Sequence, residues 1–364
     1  MYDQIQGDTL FIILYSVVTA MAMMASCYLL FRRGNAFAPD ITTPTRLRRW
    51  AAAFLAAYAL DHIWYMPIMF LSSSEDIKLC DLIGGLLDGM TIFPLAIIVM
   101  LAMLQDRKRP LWPVAVMVAP FIVGNALGVA TLSYEYLPML YGYLLLMGIG
   151  LIIYMVRALR QYGRWLRDNY ADLEQKEVWQ SFVVLAIVLL VFVVYALINE
   201  NSIYIYVMLV VSAVFICYLL WRVETLSDLS IPESTTKNVS TLAALPAKNI
   251  GVLLQQHCID TQLYLQHDLN LSQLAKAVGT NRFYLSQYFS SLGTTYNAYI
   301  NDLRINHFVS LYREAVAANR PFTAQQLAHE SGYRSYSTFR LAFKQRMGQN
   351  VRAWILDMNH NCQN

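Results

Sequence analysis

Long apolar runs separated by short polar gaps fill the chain up to about residue 221, and from residue 223 onward the spacing changes to that of a water-exposed protein. A helix needs about 20 largely apolar residues to cross the hydrocarbon core of a bilayer. Seven runs meet that length: Thr9 to Phe31, Trp50 to Leu71, Leu82 to Leu104, Trp112 to Leu132, Pro138 to Val156, Ser181 to Asn199 and Ile203 to Trp221. Only Glu200, Asn201 and Ser202 separate the last two. One helix over both would be about twice the length needed, so a tight helical hairpin is expected there.

Lys and Arg in the short gaps orient the spans. The gaps after spans one, three, five and seven hold Arg32, Arg33, Arg46, Arg48, Arg49, Arg107, Lys108, Arg109, Arg157, Arg160, Arg164, Arg167, Lys176 and Arg222. The opposite gaps hold Lys78 alone. The N-terminus is therefore expected outside and residue 222 on the cytoplasmic side. The first eight residues carry two acids and no Lys or Arg, the wrong flank for a cleaved secretory signal, so the first run is expected to remain as a membrane helix.

Residues 223–248, rich in Ser, Thr and Pro, read as a linker. Beyond it, Leu274, Ala275 and Val278 form one short apolar face, Gly279 permits a turn, and Leu285, Tyr288 and Phe289 form a second face. This is helix-turn-helix spacing. It recurs as Leu327 and Ala328, then Gly332, then Phe339 and Phe343. Between the copies, Ile300, Leu303, Phe308 and Leu311 predict a long joining helix.

The stretches LSQLAKAVGTNRFYLSQYF, LGTTYNAYINDLRI and QQLAHESGYRSYSTFRLAFKQRMG follow one another in that order. With them, residues 249–356 resemble the DNA-binding domain of AraC-type transcription regulators. The resemblance implies two helix-turn-helix units held by a linking helix, each placing its second helix in the major groove of double-stranded DNA, whose width admits a helix. It covers under a third of the chain and does not extend to the membrane part. Two departures stand out: Val351 occupies a position where that family commonly has Pro, and AANRPFT (317–323) extends the linking region.

The candidate DNA contacts lie at the start of each second helix and off its buried face: Arg282, Phe283, Ser286 and Gln287 in the first, Ser335, Tyr336, Ser337 and Arg340 in the second. Phe283 and Tyr336 fit packing as well as contact. Arg340 suits a bidentate pair with guanine, and Lys344, Arg346 and Arg352 suit phosphate, which gives affinity and salt sensitivity but little sequence choice. Residues 331–356 hold five basic residues and no acid.

The outer gaps are too short for a folded external sensor, so a stimulus must enter among the helices, through the lipid or by protein contact. Charge within a span is costly and marks a functional hypothesis. Tyr58, Asp61, His62 and Tyr65 share one side of span two, and Asp81, Gly84, Gly85 and Asp88 share one side of span three. Two readings stay open: a sensing site for a small ligand or proton on Tyr58, Asp61, His62, Tyr65 and Asp88, or internal packing of polar groups between helices. Asn125 fits the packing reading.

The chain is 57% hydrophobic with a mean hydropathy of +0.41, too apolar for an ordinary soluble protein. Its five cysteines form no CxxC pair, so neither a disulfide framework nor a zinc site is indicated. His62 is the only histidine in the membrane half, and no HExxH, P-loop or GxSxG constellation occurs. No enzyme activity, metal or cofactor is therefore expected. The expected architecture is all-α: a seven-helix transmembrane bundle over 1–222, a linker over 223–248 and a cytoplasmic double helix-turn-helix domain over 249–364. The expected function is a one-component transcription regulator in the bacterial inner membrane. Its expected partners are DNA, the bilayer, a small-molecule or membrane-protein ligand and a second copy of the chain. A transporter or membrane scaffold with a protein-binding helix-turn-helix domain is the alternative, although the seven runs show no repeated halves.

Overall fold

A computed structural model describes residues 8–32, 34–39, 41–173, 176–184, 186–187, 202–229 and 247–363. The chain forms two compact units, one of residues 1–162 with 178–230 and one of residues 163–177 with 231–364. The described residues are helical and include no strand, only an isolated bridge between Tyr170 and Asn270.

The first unit begins with α1 (Thr9–Phe31), capped by Asp8, whose carboxylate accepts from the backbone N–H groups of Leu10 and Phe11. It packs on α2 (Thr45–Tyr65) through small residues: Ala22, Ala51, Ala52 and Ala59 are fully buried, and Ser26 donates to the Ala52 carbonyl at 2.8 Å. Small side chains let the backbones approach where lipid offers no hydrophobic drive. Helix α2 gives way to a 3-10 turn at Met66–Met69, where Pro67 lacks the N–H that would continue the ladder. Helices α3 (Ser74–Met90) and α4 (Ile92–Met103) form one apolar stretch broken at Thr91. Pro94 stands four residues after Met90, so its ring opposes the Met90 carbonyl and sets the break.

Then follow α5 (Trp112–Thr131), α6 (Leu137–Asn169) and α7 (Ser202–Thr225). Among the described residues five stretches are long and apolar enough to cross a membrane: Thr9–Phe31, Ser74–Met103, Trp112–Thr131, Leu137–Asn169 and Ile205–Thr225. Helix α2, the second expected span, is not among them, because three arginines occupy its first turns and Asp61 its last. Most of the sixth expected span, Ser181 to Asn199, lies outside the described residues.

The second unit contains α8 (Ala247–Leu254), α9 (Leu271–Val278), α10 (Arg282–Ser291), α11 (Tyr296–Ala317), α12 (Ala324–Glu330), α13 (Tyr336–Met347) and α14 (Val351–Gln363). It has two cores on one spine. Helix α11 sends Tyr296 and Ile300 into a core with Leu254, Leu274, Leu285 and Phe289, and Ile305, Phe308 and Tyr312 into a core with Leu327, Phe339, Phe343 and Trp354. Each buried Leu or Phe contributes about 1.5–3 kcal/mol, so each core is an independent source of stability.

Candidate nucleic-acid interface

Both helix pairs are punctuated by residues whose chemistry fits their place. Asn270 caps α9 in a reciprocal capping box with Gln273, and Asn281, Thr295, Thr323 and Ser335 cap α10, α11, α12 and α13. Gly279 closes α9 in the left-handed region at φ 76°, which turns the chain into α10. In the second pair Gly332 takes φ 91°, and a Cβ there would lie 2.8 Å from the Leu265 Cα. The second turn thus rests against the backbone that leads into the first pair, an approach only glycine permits.

Arg304 of α11 ties the same two regions. It is 1% exposed, donates from Nε to the Tyr264 carbonyl at 2.7 Å and from Nη2 to the Gln266 carbonyl at 2.7 Å, and lies 5.5 Å from the centre of the Tyr333 ring. Burial lowers its pKa below the usual guanidinium value, while the same burial raises those of Tyr296 and Tyr333 beside it. Hydrogen bonds and the neighbouring ring replace the hydration that Arg304 loses.

The second helices expose the faces expected to read DNA. On α10, Phe283 is 70% exposed and Gln287 is exposed, whereas Arg282 and Ser286 are half-buried. Phe283 therefore presents its ring outward, 5.6 Å from Tyr284. On α13, Ser337, Arg340 and Lys344 are exposed along one stripe, opposite the buried Phe339 and Phe343. Tyr336 packs on Phe339 at 5.8 Å and belongs in part to the core. The Ser335 hydroxyl accepts the Thr338 N–H as the helix cap. Arg346 turns away from the stripe and pairs with Asp302 at 2.9 Å. Among the described residues Arg340 and Lys344 have no ion-pair partner, so their charge is open to a ligand.

Sequence reasoning missed Leu341, 63% exposed between Arg340 and Lys344, an apolar side chain of the type that suits a thymine methyl. The helical phase of 337, 340, 341 and 344 contains that signal. The departures at 317–323 and 351 are absorbed locally. Asn319 adopts φ 49° and the Arg320 N–H returns to the Ala315 carbonyl, while Val351, buried, opens α14 at a position that also suits Pro.

In the first unit, the expected sensing residues fall into two groups. The Asp61 carboxyl neighbours that of Asp88, and the Tyr65 hydroxyl donates to Asp88 at 3.3 Å. The Tyr65 ring lies against Gly84, where a side chain would collide with it. His62 and Tyr58 lie 4.2 Å apart, and Tyr15 of α1 stacks on His62 at 4.7 Å and donates to its carbonyl at 2.8 Å. An open groove of about 770 Å³ between α2 and α3 is bordered by Asp61, Trp64, Cys80 and Leu87, and one Asp61 oxygen is buried without a hydrogen-bond partner. Asp61, Tyr65 and Asp88 form one cluster; Tyr58 and His62 belong with Tyr15. Asn125 is buried and donates to the Phe121 carbonyl at 2.9 Å, as packing requires.

Comparison with known families gives one finding. Residues 274–355 match the model of a helix-turn-helix domain, of the AraC type. The match begins within α9 and ends within α14, so it takes in both second helices and the spine between them. No curated protein and no solved structure matched the chain.

Proposed function

We propose that this chain is a one-component transcription regulator held in the bacterial cytoplasmic membrane, with its N-terminus outside and its C-terminal unit reading DNA from the cytoplasmic side. The observation that carries this reading is the pair of outward-facing second helices fixed on one spine. Phe283 and Gln287 lie on one, and Ser337, Arg340, Leu341 and Lys344 on the other. The AraC-type match makes DNA the expected ligand of that surface. Two helices held on one protomer suit two neighbouring turns of the major groove.

Roles divide by chemistry. Arg340 supplies sequence choice, about 1–3 kcal/mol if bidentate to guanine, and Lys344 supplies phosphate affinity. Arg346 is the weaker candidate, since binding phosphate would first break its pair with Asp302. The input is assigned to the Asp61–Asp88 cluster and the groove beside Asp61, which suits a proton or a small polar or cationic molecule reaching it between α2 and α3.

The test is selection from a randomised duplex pool by the full-length protein in nanodiscs. A discrete motif is expected with wild type. Arg340→Ala should relax one position of that motif, and Lys344→Ala should keep the motif while flattening the slope of log affinity against log salt by about 0.9. Absence of any enriched motif would turn the reading toward a protein-binding scaffold.

A further inference from the structure

Helix α6, read as the fifth span, is 33 residues long. At 1.5 Å per residue it measures about 50 Å, against about 30 Å for a hydrocarbon core. Its last turns, from Gly163 to Asn169, belong to the DNA-reading unit, as do the residues that follow. There the helix ends and the chain continues within that unit. Tyr170 bridges to Asn270, the cap of α9. The Asn297 amide donates to the carbonyls of Tyr170 at 3.1 Å and Ala171 at 2.6 Å, and the Asn301 amide donates to the Ala171 carbonyl at 3.2 Å. Ala171 is 1% exposed within the first core, beside Ile300 and Tyr296, and Asp172 is 7% exposed.

A tripeptide from a loop between spans has no need of two asparagine side chains and a place in the core of the DNA-reading unit. Loops of membrane proteins ordinarily stay on the surface and solvate their own backbone. Here two elements of the DNA reader receive it: the cap of α9 and two successive turns of the linking helix α11. We propose that residues 170–172 are a latch through which the fifth span reports to the DNA-reading unit, with Asn270, Asn297 and Asn301 as the receiving surface. A change in tilt or axial position of α6 loads the latch. The load falls on α9 and on the face of α11 that anchors Ile300, and so alters the setting of α10. The covalent route through residues 231–246 is a separate connection and is not needed for this one. The proposal rests on the reading of the chain as a membrane-held DNA reader, but its test does not require DNA.

Full-length protein is placed in nanodiscs of short-chain or of long-chain phosphatidylcholine, since bilayer thickness changes the tilt of a span. Amide hydrogen exchange is then followed at residues 170–172 and 297–301. In wild type these amides are expected to differ by about threefold or more between the two bilayers. A flexible Gly/Ser insertion after Gly163 keeps every contact of the latch but interrupts the helix, and is expected to abolish that difference. Asn297→Ala with Asn301→Ala should speed exchange at 170–172 about tenfold or more in either bilayer, leaving the amides of Phe339 and Phe343 unchanged. Thickness-independent exchange in wild type, a difference that survives the insertion, or unchanged exchange in the double variant would each overturn the proposal. Loss of the selected DNA motif with these exchange results intact would instead refute the DNA reading alone.

Discussion

Replacing Arg304 by Met keeps most of the buried stem and removes the guanidinium, which isolates the polar connection between the two helix pairs. Two bonds at 2.7 Å are lost, to the carbonyls of Tyr264 and Gln266. A hydrogen bond to a charged group contributes about 1.5–3 kcal/mol, so the pair amounts to about 3–5 kcal/mol once the vacated carbonyls regain some water. The wild-type residue bears its own desolvation cost, seen in its lowered pKa, which brings the expected loss toward the lower figure. Hydrogen exchange of the full-length protein in nanodiscs reads this locally. Amides from 263 to 268 should exchange faster by about two orders of magnitude, since each 1.36 kcal/mol is about tenfold. Exchange within about threefold of wild type would refute the assignment of Arg304 as the tie between the pairs.

Gly332→Ala should destabilise the second unit by about 2–4 kcal/mol, combining a left-handed φ with collision against the Leu265 backbone, whereas Gly279→Ala, in open space, should cost only about 1–2; equal melting shifts for the two would remove the close-approach argument. Burial pushes the Cys258 thiol up to about 11, so its contribution to stability is complete below the ordinary thiol value of 9.0 and is lost as pH rises toward 11. Wild type should therefore lose about 1 kcal/mol more than Cys258→Ala between about pH 9 and about pH 10, and parallel curves would contradict it. Asp61→Asn keeps the size of the side chain but removes its carboxyl, so it should change the output of a reporter gene by about threefold or more with insertion intact; unchanged output would remove Asp61 from the sensing role.

The helix-turn-helix pairs were readable because their information is local. Gly279 and Gly332 mark turns, and Leu274, Leu285, Phe339 and Phe343 repeat at helical spacing with polar caps before each helix. Apolar run length found five of the seven expected spans among the described residues, but not the ends of their helices. Expected span three begins at Leu82, yet its helix starts at Ser74 behind the Ser73 cap, because Glu75 and Asp76 suit a first helical turn as well as a loop. The fifth run ends at Val156, but α6 continues to Asn169, since Ala158, Tyr162 and Leu166 keep a buried stripe among arginines that are good helix formers. What could not be read locally is everything made by distant partners. Arg304 looks like one more basic residue until Tyr264 and Gln266 surround it, and Asn297 and Asn301 look like solvated polar positions until Ala171 arrives 126 and 130 residues away. Which neighbour each of Tyr58, Asp61, His62 and Tyr65 faces, α1 or α3, is likewise set by packing and has no local signal.

The measurement that bears most directly on the central claim is genome-wide DNA crosslinking of the intact protein recovered from washed membranes, beside an Arg340→Ala, Lys344→Ala double variant. Discrete sites present in the membrane-bound wild type and lost in the variant are the expected result. An absence of sites in the intact membrane form, or the same sites in both proteins, would contradict a membrane-held reader that works through the exposed face of α13.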